Sequence, residues 1–249
     1  FDVNSCNTAF NKVIESKPDA VVIGPTYIDE TIYLCNNLDS LDIPYIFVDS
    51  TIDGTSPLAT FSCDQTSCGE LAAKLILMAV PAGSSIAIFS AERIGNRLSN
   101  NSFKRRKGFK AYIRKNAPAT ILKEVNYSIG NTTENKKKME DFLAENRDIK
   151  GIAVLNSRGF IIADLLHECG RKDIKILSFD LTARNLACLD NGQISVLLCQ
   201  RPEQQGFNAI KTLLNHLLFK NIEGGTDHTM PIDILFKENL RYYTEIINL

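Results

Sequence analysis

Short apolar runs alternate with helix-length amphipathic segments along almost the whole chain. Asp19 to Gly24 is a nearly continuous apolar run closed by Gly-Pro, the pattern of a strand buried on both faces. Residues 5–16 before it carry Phe10, Val13 and Ile14 at helical spacing, and residues 29–40 after it carry Ile32, Leu34, Cys35 and Leu38. The same reading predicts strands at 44–49, 58–62, 85–90, 121–127, 151–155, 174–179 and 194–199. Helices are predicted at 65–80, 102–115, 132–146, 158–169, 182–190 and 203–219, with Gly170 as a natural stop. Beyond Pro231 two β-rich pieces are expected, 232–236 and 242–247, and the stretch around His228 reads as a loop.

Strands that alternate with helices predict parallel sheets with helices on both faces. About ten strand candidates are many for one sheet in 249 residues, so the chain is expected to form two doubly wound α/β lobes. Hydrophobic residues make up 44% and charged residues 23% of the sequence, as in globular proteins. Lys plus Arg number 28 against 29 Asp plus Glu, a formal charge of −1. That balance excludes a free-standing electrostatic nucleic-acid binder. The most apolar run, Leu71 to Ala82, is interrupted by Lys74 and Pro81, short of the ~20 apolar residues of a membrane span. No signal peptide is visible at the start. The seven cysteines, Cys6, Cys35, Cys63, Cys68, Cys169, Cys188 and Cys199, lack CxxC and zinc-like spacing with His. They read as reduced thiols, mostly buried, and so predict a cytoplasmic location.

Catalytic signatures are missing. The sequence has no GxGxxG after a strand, no phosphate-binding GxxxxGK[ST], no GxSxG and no HExxH. His167 and His216 fall in predicted helices, so the chain is expected not to be an enzyme and to need no cofactor or metal. The polar residues that stand out share one setting, the carboxyl end of a predicted strand or the turn after it. Asp64, Asn156, Asp180 and Gln200 occupy four such places, where open α/β sheets bind ligands. Arg105, within the basic start of a helix at Lys104 to Lys107, offers a guanidinium able to fork onto two adjacent oxygens.

These residues resemble the type I periplasmic-binding-protein fold, and in particular the effector-binding core of LacI/GalR-family bacterial transcription regulators. The resemblance runs through Asp64-Gln-Thr-Ser-Cys-Gly69, the R-x-x-G-F of Arg105, Gly108 and Phe109, Asn156, the strand end Ser178-Phe179-Asp180, and the Q-x-P-x-x-x-G of Gln200, Pro202 and Gly206. It implies two lobes joined by a three-crossing hinge, one from residues 1–82 plus 202–230 and the other from 83–201 plus 231–249. It also implies that a first strand, a first helix and most of a second strand precede or overlap Phe1. By the same resemblance Asp64, Arg105, Asn156, Asp180 and Gln200 are ligand-binding, contacting a small, sugar-like effector in the interlobe cleft. Closure there would couple to operator DNA through an upstream helix-turn-helix, absent from this chain, in a homodimer with no membrane partner. The alternative is a periplasmic sugar-binding receptor of a transporter. The chain departs from the family pattern at Gln65 in place of Asn and Cys68 in place of Gly, and again where Pro81-Ala-Gly83-Ser-Ser replaces the common Gly-His-basic stretch before the strand at 85.

Overall fold

A computed structural model describes residues 3–92, 100–219 and 225–243. The chain opens with α1 (Val3–Ser16), β1 (Val21–Ile23), α2 (Ile28–Ser40), β2 (Tyr45–Val48) and β3 (Ala59–Ser62). Then come α3 (Gln65–Ala79), β4 (Ser85–Glu92), α4 (Asn100–Asn116), β5 (Leu122–Ser128), α5 (Thr132–Glu145), β6 (Ile149–Val154), α6 (Gly159–Glu168), β7 (Lys175–Phe179), α7 (Ala183–Asp190) and β8 (Val196–Cys199). The last elements are α8 (Pro202–Phe219), β9 (Thr226–Thr229), β10 (Asp233–Leu235) and a 3-10 turn over Lys237–Asn239.

Two compact units result. The first comprises Phe1–Asp64 and Gln200–Pro231, the second Gln65–Cys199 and Ile232–Leu249, so the chain passes between them three times. In the first, β1-β2-β3-β9 form a four-stranded parallel sheet. Phe10, Val13 and Ile14 of α1 and Leu34, Cys35 and Leu38 of α2 pack with Ile23, Tyr45 and Phe47 into its core. In the second unit the order is β10-β8-β7-β6-β4-β5, parallel except for β10. Its core runs from Ala87 and Phe89 through Ile149, Ile152 and Val154 to Ile176 and Leu197. The inner strands are continuous apolar runs because helices cover both of their faces.

The first boundary, expected near residue 82, falls between Asp64 and Gln65, which moves α3 into the second unit. The reason is backbone contact between α3 and α4. A Cβ on Gly69 would stand 1.9 Å from the Arg105 carbonyl oxygen, and one on Gly108 2.0 Å from that of Thr66. Only glycine in both helices permits that approach.

Two sequence expectations need correction. His228 lies in β9, not in a loop, and its ring stacks on Phe61 at 4.7 Å. The strand Thr226–Thr229 is wholly exposed, so no apolar alternation marks it; its register with Ala59–Ser62 supplies its hydrogen bonds. Residues 241–243 are helical rather than extended, and 244–247 of that expected strand lie outside the described residues. All seven cysteines are free thiols; Cys6 and Cys169 are half-buried rather than buried. Among the described residues no helix is long and apolar enough to cross a membrane.

Candidate functional site

The carboxyl edge of the second sheet gathers three of the five expected ligand residues. Arg105 projects from α4 and is 3% exposed. Its Nε donates to Gln65 Oε1 at 2.7 Å, its Nη1 to the Leu155 carbonyl at 3.1 Å, and the guanidinium lies 4.0 Å above the Phe179 ring. Two of its five N–H donors are thus committed within the unit, and no carboxylate among the described residues forms an ion pair with it. A buried cation is costly unless something compensates it. Here an amide oxygen, a carbonyl and a π face compensate in part, and among the described residues the other three donors meet no acceptor.

Asn156 follows β6 at the same edge. Its Oδ1 accepts from the Arg158 backbone N–H at 2.9 Å and from the Tyr127 hydroxyl at 3.3 Å. The backbone donor fixes which way the amide faces, so Nδ2, which has no partner among the described residues, is left as a donor. Burial pushes the Tyr127 hydroxyl up to about 12, against a smaller downward pull from Asn156, so it stays a proton donor at neutral pH. The Asn156 carbonyl accepts from Ser178 Oγ at 2.9 Å and the Phe179 N–H at 3.3 Å.

Asp180 terminates β7 with φ +66°, a left-handed conformation uncommon outside glycine. Its N–H donates to Leu198 at 2.8 Å, and its carbonyl accepts from Asn185 Nδ2 at 3.0 Å. Asn185, fully buried in α7, also donates to the carbonyls of Ser157 (3.1 Å) and Phe179 (2.9 Å) and accepts from the Phe160 N–H (3.0 Å). One side chain therefore clamps the turns after β6 and β7. No chemical motif announces it; it reads as an ordinary first-turn helix residue.

Asp64 and Gln200 belong to the first unit. Asp64 is exposed, just past β3. Gln200 precedes α8, and its carbonyl accepts from Gln205 Nε2 at 2.8 Å. Gln205, 2% exposed, turns its Oε1 to the Asp49 N–H at 2.8 Å and so ties the end of β2 to the start of α8. Asp49 itself has φ +71°, the same left-handed strand-end geometry as Asp180, and shares the carboxyl edge of the first sheet with Asp64. The sequence reading passed over Asp49, although the rule that selected Asp180 applies to it: an Asp directly after an apolar strand. Gln65, a departure from the family pattern, acquires a role as the residue that orients Arg105. Among the described residues no cluster of three or more His, Cys, Asp or Glu could hold a metal ion.

Known proteins can be set beside this geometry. Among curated proteins nothing matches the sequence. A candidate LacI transcriptional regulator from Bacteroides fragilis is 35% identical, with a TM-score of 0.89, over 98% of this chain and 84% of its own. An ABC transporter solute binding protein from Agrobacterium vitis, bound with alpha-D-tagatopyranose, is 22% identical with a TM-score of 0.81, over 94% of this chain and 80% of its own. A carbohydrate transporter solute binding protein from Agrobacterium radiobacter, in complex with D-arabinose, is 21% identical with a TM-score of 0.80, over 99% and 83%. None of the three is described as an enzyme. The periplasmic binding protein domain matches residues 1–221, and this chain belongs to that family.

Proposed function

We propose that the chain is the ligand-sensing core of a LacI-type transcription regulator that binds a small sugar-like effector. The observation that carries this reading is Arg105, buried and, among the described residues, without a carboxylate partner and with three N–H donors uncommitted. Beside it the Asn156 amide presents further donors. Arg105, Asn156 and Asp180 would contact the ligand, with Asp49, Asp64 and Gln200 as further ligand residues. Such a mix of donors and carboxylates suits a polyhydroxylated ligand, because each sugar hydroxyl both donates and accepts. The sugars held by the two solute binding proteins support the ligand class. Similarity to the Bacteroides fragilis protein and seven free thiols support a cytoplasmic regulator, a homodimer acting on operator DNA through a helix-turn-helix outside these residues. Effector binding would shift operator affinity by a coupling of about 1–3 kcal/mol. The second reading, a periplasmic receptor feeding a transporter, draws on those sugar-bound structures.

The test is a thermal-shift screen of the intact polypeptide against pentoses, hexoses and their acids. At least one should raise Tm, and Asn156→Ala should weaken its binding about tenfold, the ~1.5 kcal/mol of one hydrogen bond in a desolvated site. No shift from any sugar, or an Asn156→Ala protein that binds as tightly as the parent, rejects the site. Ligand-dependent retention of an operator fragment in a gel then separates regulator from receptor.

A further inference from the structure

The second unit holds a cavity at the amino edge of its sheet, the edge opposite to that of Arg105, Asn156 and Asp180. It lies among the last turn of α6, the start of β7 and the turn from α7 to β8, and measures about 340 Å³. That is the lower end of the ~300–1,000 Å³ of small-molecule sites. Its floor is apolar, built from the buried Ala163, Leu166, Ile174 and Ile176. Its rim carries His167, Arg171, Lys172 and Gln193.

Two turns set that rim. Gly170, at φ +70°, closes α6: its N–H donates to the His167 carbonyl at 3.0 Å and the Arg171 N–H to the Leu166 carbonyl at 2.9 Å. With the Leu165 carbonyl accepting from the Cys169 N–H, this cap reduces the negative potential that a bare helix end would turn on an anion. Gly192, at φ +81°, reverses the chain between Asn191 and Gln193. Asn191 Nδ2 donates to Gln193 Oε1 at 2.7 Å, which leaves Gln193 Nε2 as a donor without a partner among the described residues. The carboxylates beside these stretches already have cations. Asp173 accepts from Arg171 Nε and from Lys150 Nζ, both at 2.7 Å, Glu168 lies 3.2 Å from Lys136, and Asp190 lies 4.0 Å from Lys237. Among the described residues the Lys172 and His167 side chains form no ion pair or hydrogen bond, and Arg171 Nη1 meets no acceptor.

We propose that this cavity is a second binding site, for a small organic acid. Its carboxylate meets Arg171, Lys172 and Gln193, and its aromatic or aliphatic body covers the apolar floor. A guanidinium, an ammonium and an amide supply donors for both carboxylate oxygens. An ion without an apolar body would leave the floor in water. The site is separate from the candidate sugar site and does not depend on it.

The experiment follows the histidine ring signals of the intact polypeptide by NMR during titration with benzoate, acetate and benzamide. The 249 residues contain only His167, His216 and His228, and only His167 lines the cavity. Benzoate should shift the His167 signals to saturation and leave the other two in place, while acetate and benzamide bind at least about tenfold more weakly. Lys172→Ala removes an exposed, unpartnered ammonium and should weaken benzoate about fivefold. Lys115→Ala, at the end of α4 and outside the cavity, should leave the affinity unchanged. No shift of His167 up to about 10 mM benzoate overturns the proposal. So does acetate or benzamide binding as tightly as benzoate, which removes the need for either the floor or the charge. An equal effect of the two lysine variants, or no effect of Lys172→Ala, overturns it as well.

Discussion

At the scale of single residues, what holds the strand ends in place is a set of buried amides rather than the expected ligand residues themselves. Asn185 satisfies three carbonyls and one N–H from the turns after β6 and β7. Asn185→Ala deletes all four contacts and leaves the buried backbone groups without that partner. A loss of about 2–4 kcal/mol is expected from such unsatisfied groups, read as a fall in the urea midpoint. Ligand affinity should drop further than stability explains, because Asn156 and Asp180 lose their fixed backbones. Tyr127 gives a second prediction, through pH. Its hydroxyl is held up to about 12 by burial, against about 10 in an unfolded chain. Between those values the unfolded state has lost the proton and the folded state keeps it, so Tyr127 contributes stability fully below pH 10 and progressively less as pH rises towards 12. Tyr127→Phe removes that contribution. The variant's stability should therefore fall less steeply than the parent's over pH 10–12, measured by urea denaturation at each pH.

Among elements, the contact between α3 and α4 shows how a short motif serves packing and site together. In the stretch from Arg105 to Phe109, Phe109 is fully buried, Gly108 meets the Thr66 backbone, and Arg105 reaches Gln65. Gly108→Ala would place a methyl 2.0 Å from the Thr66 carbonyl oxygen, a clash with backbone that no rotamer change can relieve. A loss of at least ~1–3 kcal/mol is expected from such overpacking, read as a lowered Tm, together with weaker ligand binding as Arg105 shifts away from Leu155 and Phe179. The strands and helices whose hydrophobic pattern is strong, such as β6 and α3, are legible in the sequence because burial on both faces writes itself as an apolar run. β9 is not, since an exposed polar edge strand carries no such pattern, and neither is the unit boundary after Asp64, which depends on two helices meeting backbone to backbone. The candidate site is legible where a polar residue ends an apolar strand, as with Asn156 and Asp180. Gln65, Asn185 and Gln205 escape because their role is set by partners 40, 28 and 156 positions away, and separations of that size leave no local mark.

At the scale of the whole molecule, each unit carries an apolar cluster of its own, and the two differ in size. The larger of these two spans six strands with α5, α6 and α7, from Ala87 to Leu240. The smaller is built from α1, α2 and two strands, in a unit whose α8 leaves six large apolar side chains exposed. Apolar area buried on folding sets most of the stability, at about 25 cal/mol per Å², so residues 1–249 should unfold in two steps with the first unit leading. The free thiols allow this to be read without added probes. Cys35 is fully buried in α2 and Cys188 is 5% exposed in α7, and burial raises both thiol pKa values, that of Cys35 to about 11. Both are therefore slow to alkylate until their unit opens and restores an ordinary thiolate fraction. In pulse alkylation across a urea series, Cys35 should become reactive at a lower denaturant concentration than Cys188. Coincident midpoints for Cys35 and Cys188 in the ligand-free chain would mean that the two cores melt as one, and unequal burial would not be what limits the stability of this fold.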